Sequence, residues 1–242
     1  MINVVNGNSY LQKLHASRHL VLLLGLVVMS LLQPIAQGFL GGLIVYDVVL
    51  TLALLAVFTV VAKRKQERIV SLTLAVPAIA SQWAAYGLAG NAKYACLVVH
   101  HAFLILFFGF AVAVILRGIF EERRVIRVDH VLGTVCGYLL AGAVWGNCFV
   151  LAELLIPGSF SVKPEIAGQL ADAHSRSFLF NYFSFCTLTG AAYGDVTPIG
   201  PAVATLTWLE AMFGQFYIAV VVAQLVGLKL AQVVNQSNPS SD

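Results

Sequence analysis

The chain has 242 residues, of which 60% are hydrophobic and only 10% charged, and its mean hydropathy is +0.88. Soluble domains carry about 25% charged residues, because their surfaces must be solvated. The composition excludes a water-soluble globular protein, a disordered chain and a nucleic-acid binder; the net charge of +3 informs only through its distribution. Cys96, Cys136, Cys148 and Cys186 sit singly in apolar runs, without metal-site or disulfide-framework spacing, and read as small buried hydrophobes.

A hydrocarbon core about 30 Å thick takes roughly 20 apolar residues per helix. Six runs meet that length: 19–38, 41–62, 69–89, 95–118, 130–156 and 201–230. Pro77 falls inside the third, where a membrane helix tolerates a kink. A seventh apolar segment, 177–189, is too short to cross and runs into the loop Gly190–Gly200, a pattern that predicts a re-entrant helix. With both termini inside, eleven of the fourteen Lys and Arg residues fall on the cytoplasmic side. Only Lys93, Lys163 and Arg176 fall outside, as the positive-inside bias requires. A basic stretch after the fourth run, RGIFEERRVIRVD (117–129), lies along the inner interface or forms a solvated loop.

Positions 182–198 read YFSFCTLTGAAYGDVTP. Thr187-Leu188-Thr189 precede a loop ending in Tyr193-Gly194-Asp195, and Thr197-Pro198 lead into a long apolar helix with Gly214 and a Leu209-Glu210-Ala211 run. This resembles the pore module of the potassium-channel superfamily, in which a short pore helix, a T-V-G-Y-G-D filter and an inner helix follow one another. The resemblance is specific over 178–230 and architectural over the first four runs. It implies an all-α integral membrane protein with six transmembrane helices. A re-entrant pore helix and filter loop lie between the fifth and sixth, and four chains assemble as a homotetramer. The expected organisation is a cytoplasmic N-terminus 1–18, a four-helix membrane domain 19–118, a cytoplasmic linker 119–129, a pore domain 130–230 and a cytoplasmic tail 231–242.

The resemblance assigns the ion pathway to Thr189, Gly190, Ala191, Ala192, Tyr193, Gly194 and Asp195, and the inner-helix hinge and brace to Gly214 and Glu210. Tyr193 is expected to pack outward against the pore helix, and Asp195 to hydrogen-bond toward it at the outer mouth. Three letters depart from the family. Gly190 stands where its threonine completes the innermost ion site, Ala191 where its valine stiffens the filter, and Ala192 where its first glycine takes a positive φ. A Cβ in that conformation costs about 1–2 kcal/mol, or roughly 4–8 kcal/mol over four subunits, so the loop is expected to relax into another shape. Cys186 replaces a carboxylate that supports the aspartate in some members. For Thr187 and Thr189, pore-helix packing and ion contact both stay open.

Ionisable residues inside spans are functional candidates. Asp47 is expected to pair with Lys93 or to snorkel outward, and Glu153 to contact the outer loop. His100 and His101 are adjacent on one helix and point about 100° apart, while His15, His19 and His130 belong to the other side of the membrane. Bis-histidine haem ligation is therefore disfavoured against a hydrogen-bonded helix contact. Voltage gating requires arginines spaced through the fourth span, and none lies between Ala95 and Leu116. No phosphate loop, nucleophile elbow or zinc spacing occurs, so neither an enzyme nor a cofactor is expected beyond potassium or another monovalent cation in the pore. Two functions follow: a channel with weak or altered cation selectivity, or a non-conducting membrane anchor that docks a soluble cytoplasmic partner.

Overall fold

Long apolar runs satisfy their backbone groups internally in the absence of water, and each becomes a helix. A computed structural model describes residues 18–36, 41–62, 64–121 and 128–237. The predicted cytoplasmic residues Lys13, Lys63, Glu122, Arg123, Arg124 and Arg127, and the tail 238–242, lie outside the described residues, as does His15.

In chain order the helices are α1 (Arg18–Ala36), α2 (Gly42–Val61), α3 (Lys65–Ala84), α4 (Gly90–Glu121) and α5 (Val128–Leu155). A short strand β1 (Phe160–Val162) and a 3-10 turn (Ala167–Leu170) lead to α6 (Ala173–Thr189), followed by β2 (Val196–Pro198) and α7 (Pro201–Ser237). Among the described residues, five helical stretches are long and apolar enough to cross a membrane: His19–Ala36, Gly42–Val61, Gly90–Gly118, Val131–Leu155 and Pro201–Val221. The third expected run forms α3, which ends at Ala84 rather than at 89 and lies outside this set. Its first turn is Lys65-Gln66-Glu67-Arg68, and Ser71, Ser81 and Gln82 dilute the remainder. A capping box holds that turn: Glu67 accepts from the Arg64 amide at 3.0 Å, and the same carboxylate takes the guanidinium of Arg117 on α4.

α4 packs between α3 and α5, α1 lies against α2 and α5, and α6 is held between α5 and α7. One core, including Leu54, Phe107, Phe108, Cys136 and Leu140, joins α1 to α5. A second surrounds α6, where Phe149, Phe160, Phe180 and Phe183 pack with ring centroids 4.8–5.7 Å apart. Between helices in lipid, such packing rather than water exclusion supplies the adhesion. Close approach of α5 and α6 depends on Gly142 and Gly146, where a Cβ would fall 2.4 Å from the Phe185 ring and 2.3 Å from Asn181 Oδ1.

β1 and β2 pair antiparallel, Phe160 with Pro198 and Val162 with Val196. Bonds from Lys163 N to Asp195 O and from Ile199 N to Ser159 O extend this ribbon at both ends. The chain therefore enters α6 and leaves the following loop at one place, so that α6 and residues 190–195 form a hairpin whose two ends are tied together.

Candidate functional site

Asp172 begins the hairpin. Its extended backbone places a carboxylate oxygen 3.0 Å from the amides of His174 and Ser175, satisfying two donors that a helix start leaves open. This cap adds a turn to the predicted 177–189 segment. Partial burial would raise the Asp172 carboxyl, but the Ser175 amide and the neighbouring His174 outweigh it and hold the group below its ordinary value.

At the other end, Gly190 stops the helix. Its φ of 79° is left-handed, its amide bonds to Thr187 O, and the next amide, of Ala191, reaches back to Cys186 O at 2.8 Å. These are the two bonds of a Schellman motif. The residue in the family's threonine position is thus a helix stop, where a β-branched side chain would be strained. Thr189 is the last helical residue, and its hydroxyl donates to Phe185 O at 2.7 Å.

Positive φ then recurs at alternate residues: 79° at Gly190, 45° at Ala192 and 72° at Gly194. The expected relaxation at Ala192 does not occur. It is the one non-glycine residue with positive φ among the described residues. The strain of about 1–2 kcal/mol is tolerated because both flanks are fixed, by the Schellman stop before it and the β-ribbon after it.

Asp195 ties the loop to α6. Tyr182 Oη donates to its Oδ2 at 2.6 Å, while Oδ1 accepts from the amide of Val196 at 3.0 Å. The link toward the pore helix therefore runs through Tyr182, one turn before Cys186. Tyr193 stacks on the same tyrosine, with rings inclined by 2° and centroids 6.3 Å apart, and is 67% exposed in the single chain. Neither Tyr182 nor Ser184 was among the predicted site residues; the signal available was a hydroxyl one or two helical turns before Thr189.

Glu210 is fully buried on α7 and lies in hydrogen-bond contact with the hydroxyl of Ser184 on α6, whose single proton is shared between this carboxyl and Gly142 O, 2.8 Å away. One polar node thus joins α5, α6 and α7. Gly214 lies one turn on, against the last turn of α6: a Cβ there would fall 2.2 Å from Leu188 O. That carbonyl also accepts from Tyr138 Oη of α5 at 3.1 Å.

Away from the hairpin, Asp47 does not pair with Lys93. It is 3% exposed, accepts from Tyr86 Oη at 2.5 Å, and meets His174 Nε2 at 3.2 Å, which connects α2 to the first turn of α6. Glu153 accepts from the Gly158 amide at 2.8 Å, in the loop that follows α5. His100 faces the Ala78 carbonyl and His101 the amide of Asn147, so each ring contacts a neighbouring helix. Among the described residues no group of three or more His, Cys, Asp or Glu could hold a metal ion.

Residues 165–228 match the family model described as "Ion channel". No curated protein and no solved structure matches the chain. The match spans the end of the β1–α6 connection, the hairpin and the inner helix, and it is to a channel family rather than to an enzyme family. Residues 165–228 of this multi-helix membrane protein are therefore a pore module of the potassium-channel superfamily.

Proposed function

We propose that four copies of the chain surround a central pore and pass monovalent cations, potassium among them, with weak or altered selectivity through residues 190–194. The observation that carries this reading is the alternation of positive φ at Gly190, Ala192 and Gly194. A backbone alternating in this way can turn successive carbonyls to one side, and rings of such carbonyls replace an ion's hydration shell. The absence of a side-chain oxygen at Gly190, Ala191 and Ala192 removes one ligand ring and favours reduced discrimination between ions. Asp195 stands at the outer mouth, and Glu210 and Gly214 seat the inner helix against the pore helix.

The organisation expected from the sequence goes with this reading: α3 crosses as a sixth span, α6 is re-entrant, and both termini are cytoplasmic in the cell membrane. The tied ends of the hairpin support re-entry. Assembly is supported by the inner helix, whose span Pro201–Val221 is only 22% buried in the single chain against 56% for Val131–Leu155. The fourth helix carries no Arg or Lys between Ala95 and Leu116, so the pore is insensitive to voltage through that element.

The test is ion flux from proteoliposomes containing the purified chain. The channel reading expects potassium and sodium efflux within about tenfold of each other, abolished by Tyr193→Ala. No flux above empty vesicles would overturn it. The non-conducting anchor, favoured by the oxygen-poor run 190–192, would then stand, and co-purification of a stoichiometric soluble protein would support it.

A further inference from the structure

A cavity of about 230 Å³ opens among α2, α3, α4 and α5 and ends on the first turns of α6. Its polar lining includes Asp47, Gln82, His100, His101, His174 and Asn181. Apolar surface from Leu50, Leu97, Leu104 and Phe108 completes it. Ligand sites characteristically combine such an apolar lining with a few convergent polar groups.

Gln82 is the least expected of these residues. It is 6% exposed and its side chain approaches Asp47, yet neither its amide oxygen nor its amide nitrogen completes a hydrogen bond of ordinary geometry. A buried amide left this way is destabilising, and such groups are rare unless something outside the chain satisfies them. The two histidines point to the kind of partner required. His100 Nδ1 lies 2.9 Å from the Ala78 carbonyl, which can only accept, so Nδ1 carries the proton. Asn147 commits its amide nitrogen to Ala143 O at 2.7 Å, which leaves its oxygen to accept from His101 Nδ1 at 2.7 Å. Each neutral ring therefore presents Nε2 as a lone pair. With the Asp47 carboxylate and the oxygens of Gln82 and Asn181, the cavity is rich in acceptors. The opposing cation in the lining is Lys93, which is exposed at the rim, while His174 is already directed at Asp47.

We propose that this cavity is a binding site for a small amphiphilic organic cation bearing N–H donors, an amidinium or primary ammonium attached to an apolar group. The donors meet Asp47, the histidine lone pairs and the Gln82 oxygen, and the apolar part rests on Leu50, Leu104 and Phe108. His174 and Asp172 place the site at the start of the pore helix. Binding itself does not rest on whether the pore conducts.

Calorimetric titration of the detergent-solubilised full chain with benzamidinium tests this. Saturable binding is expected below 1 mM on the order of small-ligand affinities. Neutral benzamide and phenyltrimethylammonium, which lacks N–H donors, should each bind at least about tenfold more weakly. Asp47→Asn should weaken benzamidinium about tenfold or more. Gln82→Leu removes this amide and disturbs no more than its approach to Asp47, so it should leave the melting temperature near that of wild type while weakening binding about fivefold. The proposal fails if benzamidinium shows no saturable binding, which would leave water as the occupant. It fails equally if either control binds as tightly, or if Gln82→Leu, folded as wild type, binds undiminished.

Discussion

Gly214→Ala is the sharpest perturbation of the junction between pore helix and inner helix. The added Cβ would stand 2.2 Å from Leu188 O, 3.0 Å from its carbonyl carbon and 3.2 Å from its Cα. Ordinary contact begins near 3.4 Å, so α7 must retreat by about 1.2 Å or the end of α6 must move. The obstructing atoms are backbone, and Leu188 O is additionally held by Tyr138 Oη at 3.1 Å, so a rotamer change cannot relieve the clash. Overpacking of this kind costs about 1–3 kcal/mol, offset by the 0.5–1 kcal/mol that Ala gains over Gly within a helix, roughly. A net loss centred on about 1 kcal/mol, and at most about 2.5, lowers the melting temperature of a chain this size by about 2–4 °C, and at most about 10 °C. Thermal unfolding of the purified chain in detergent measures it. Gly109→Ala on α4 is the matched control, since nothing lies within 4 Å of a Cβ there; it should raise the melting point by a few degrees at most. If Gly214→Ala melts at or above wild type, the glycine serves no close approach and the packing argument is wrong.

Further expectations concern the same hairpin. Tyr182→Phe and Asp195→Ala remove a bond of 2.6 Å from opposite ends; a double-mutant cycle by thermal unfolding should give a coupling of about 1–3 kcal/mol, and additivity would refute the link. Ser184→Ala leaves the buried Glu210 without its donor and should destabilise by about 1–3 kcal/mol, more than Glu210→Gln, which can still accept. Ala192→Val places a β-branched residue at φ 45° and should cost about 1–2 kcal/mol, whereas Ala192→Gly should be tolerated in the same unfolding assay. Asp172 has a carboxyl depressed in the folded chain, so its contribution is present above the ordinary value near 4 and is lost as pH falls through the folded value. Stability should therefore decline on acidification below about pH 4 more steeply in wild type than in Asp172→Asn, and Asp172→Ala should cost about 1 kcal/mol at neutral pH.

The helical runs and the channel-like frame were legible in the sequence because each is imposed locally. Hydrocarbon thickness demands a length of apolar chain, and Tyr193-Gly194-Asp195 after Thr187-Leu188-Thr189 is a short contiguous pattern. Backbone polar satisfaction without water leaves helix as the outcome, whatever the neighbours do. The conformation of the loop was not legible. Local propensity argued that Ala192 should leave the left-handed region, yet it stays there because Phe160–Val162, some thirty residues earlier, ties down the chain on its far side. Gly190 read as a lost ligand and proved to be a helix stop, a role defined by bonds to Thr187 and Cys186. Asp47 met His174, a residue 127 positions away, rather than Lys93. The same holds for the bond between Tyr182 and Asp195, the node of Ser184 and Glu210, and the unbonded amide of Gln82. Membrane class and pore frame follow from near-neighbour chemistry that any window of the chain displays. The fit of the site depends on which distant groups share one small volume, and only packing in three dimensions determines that.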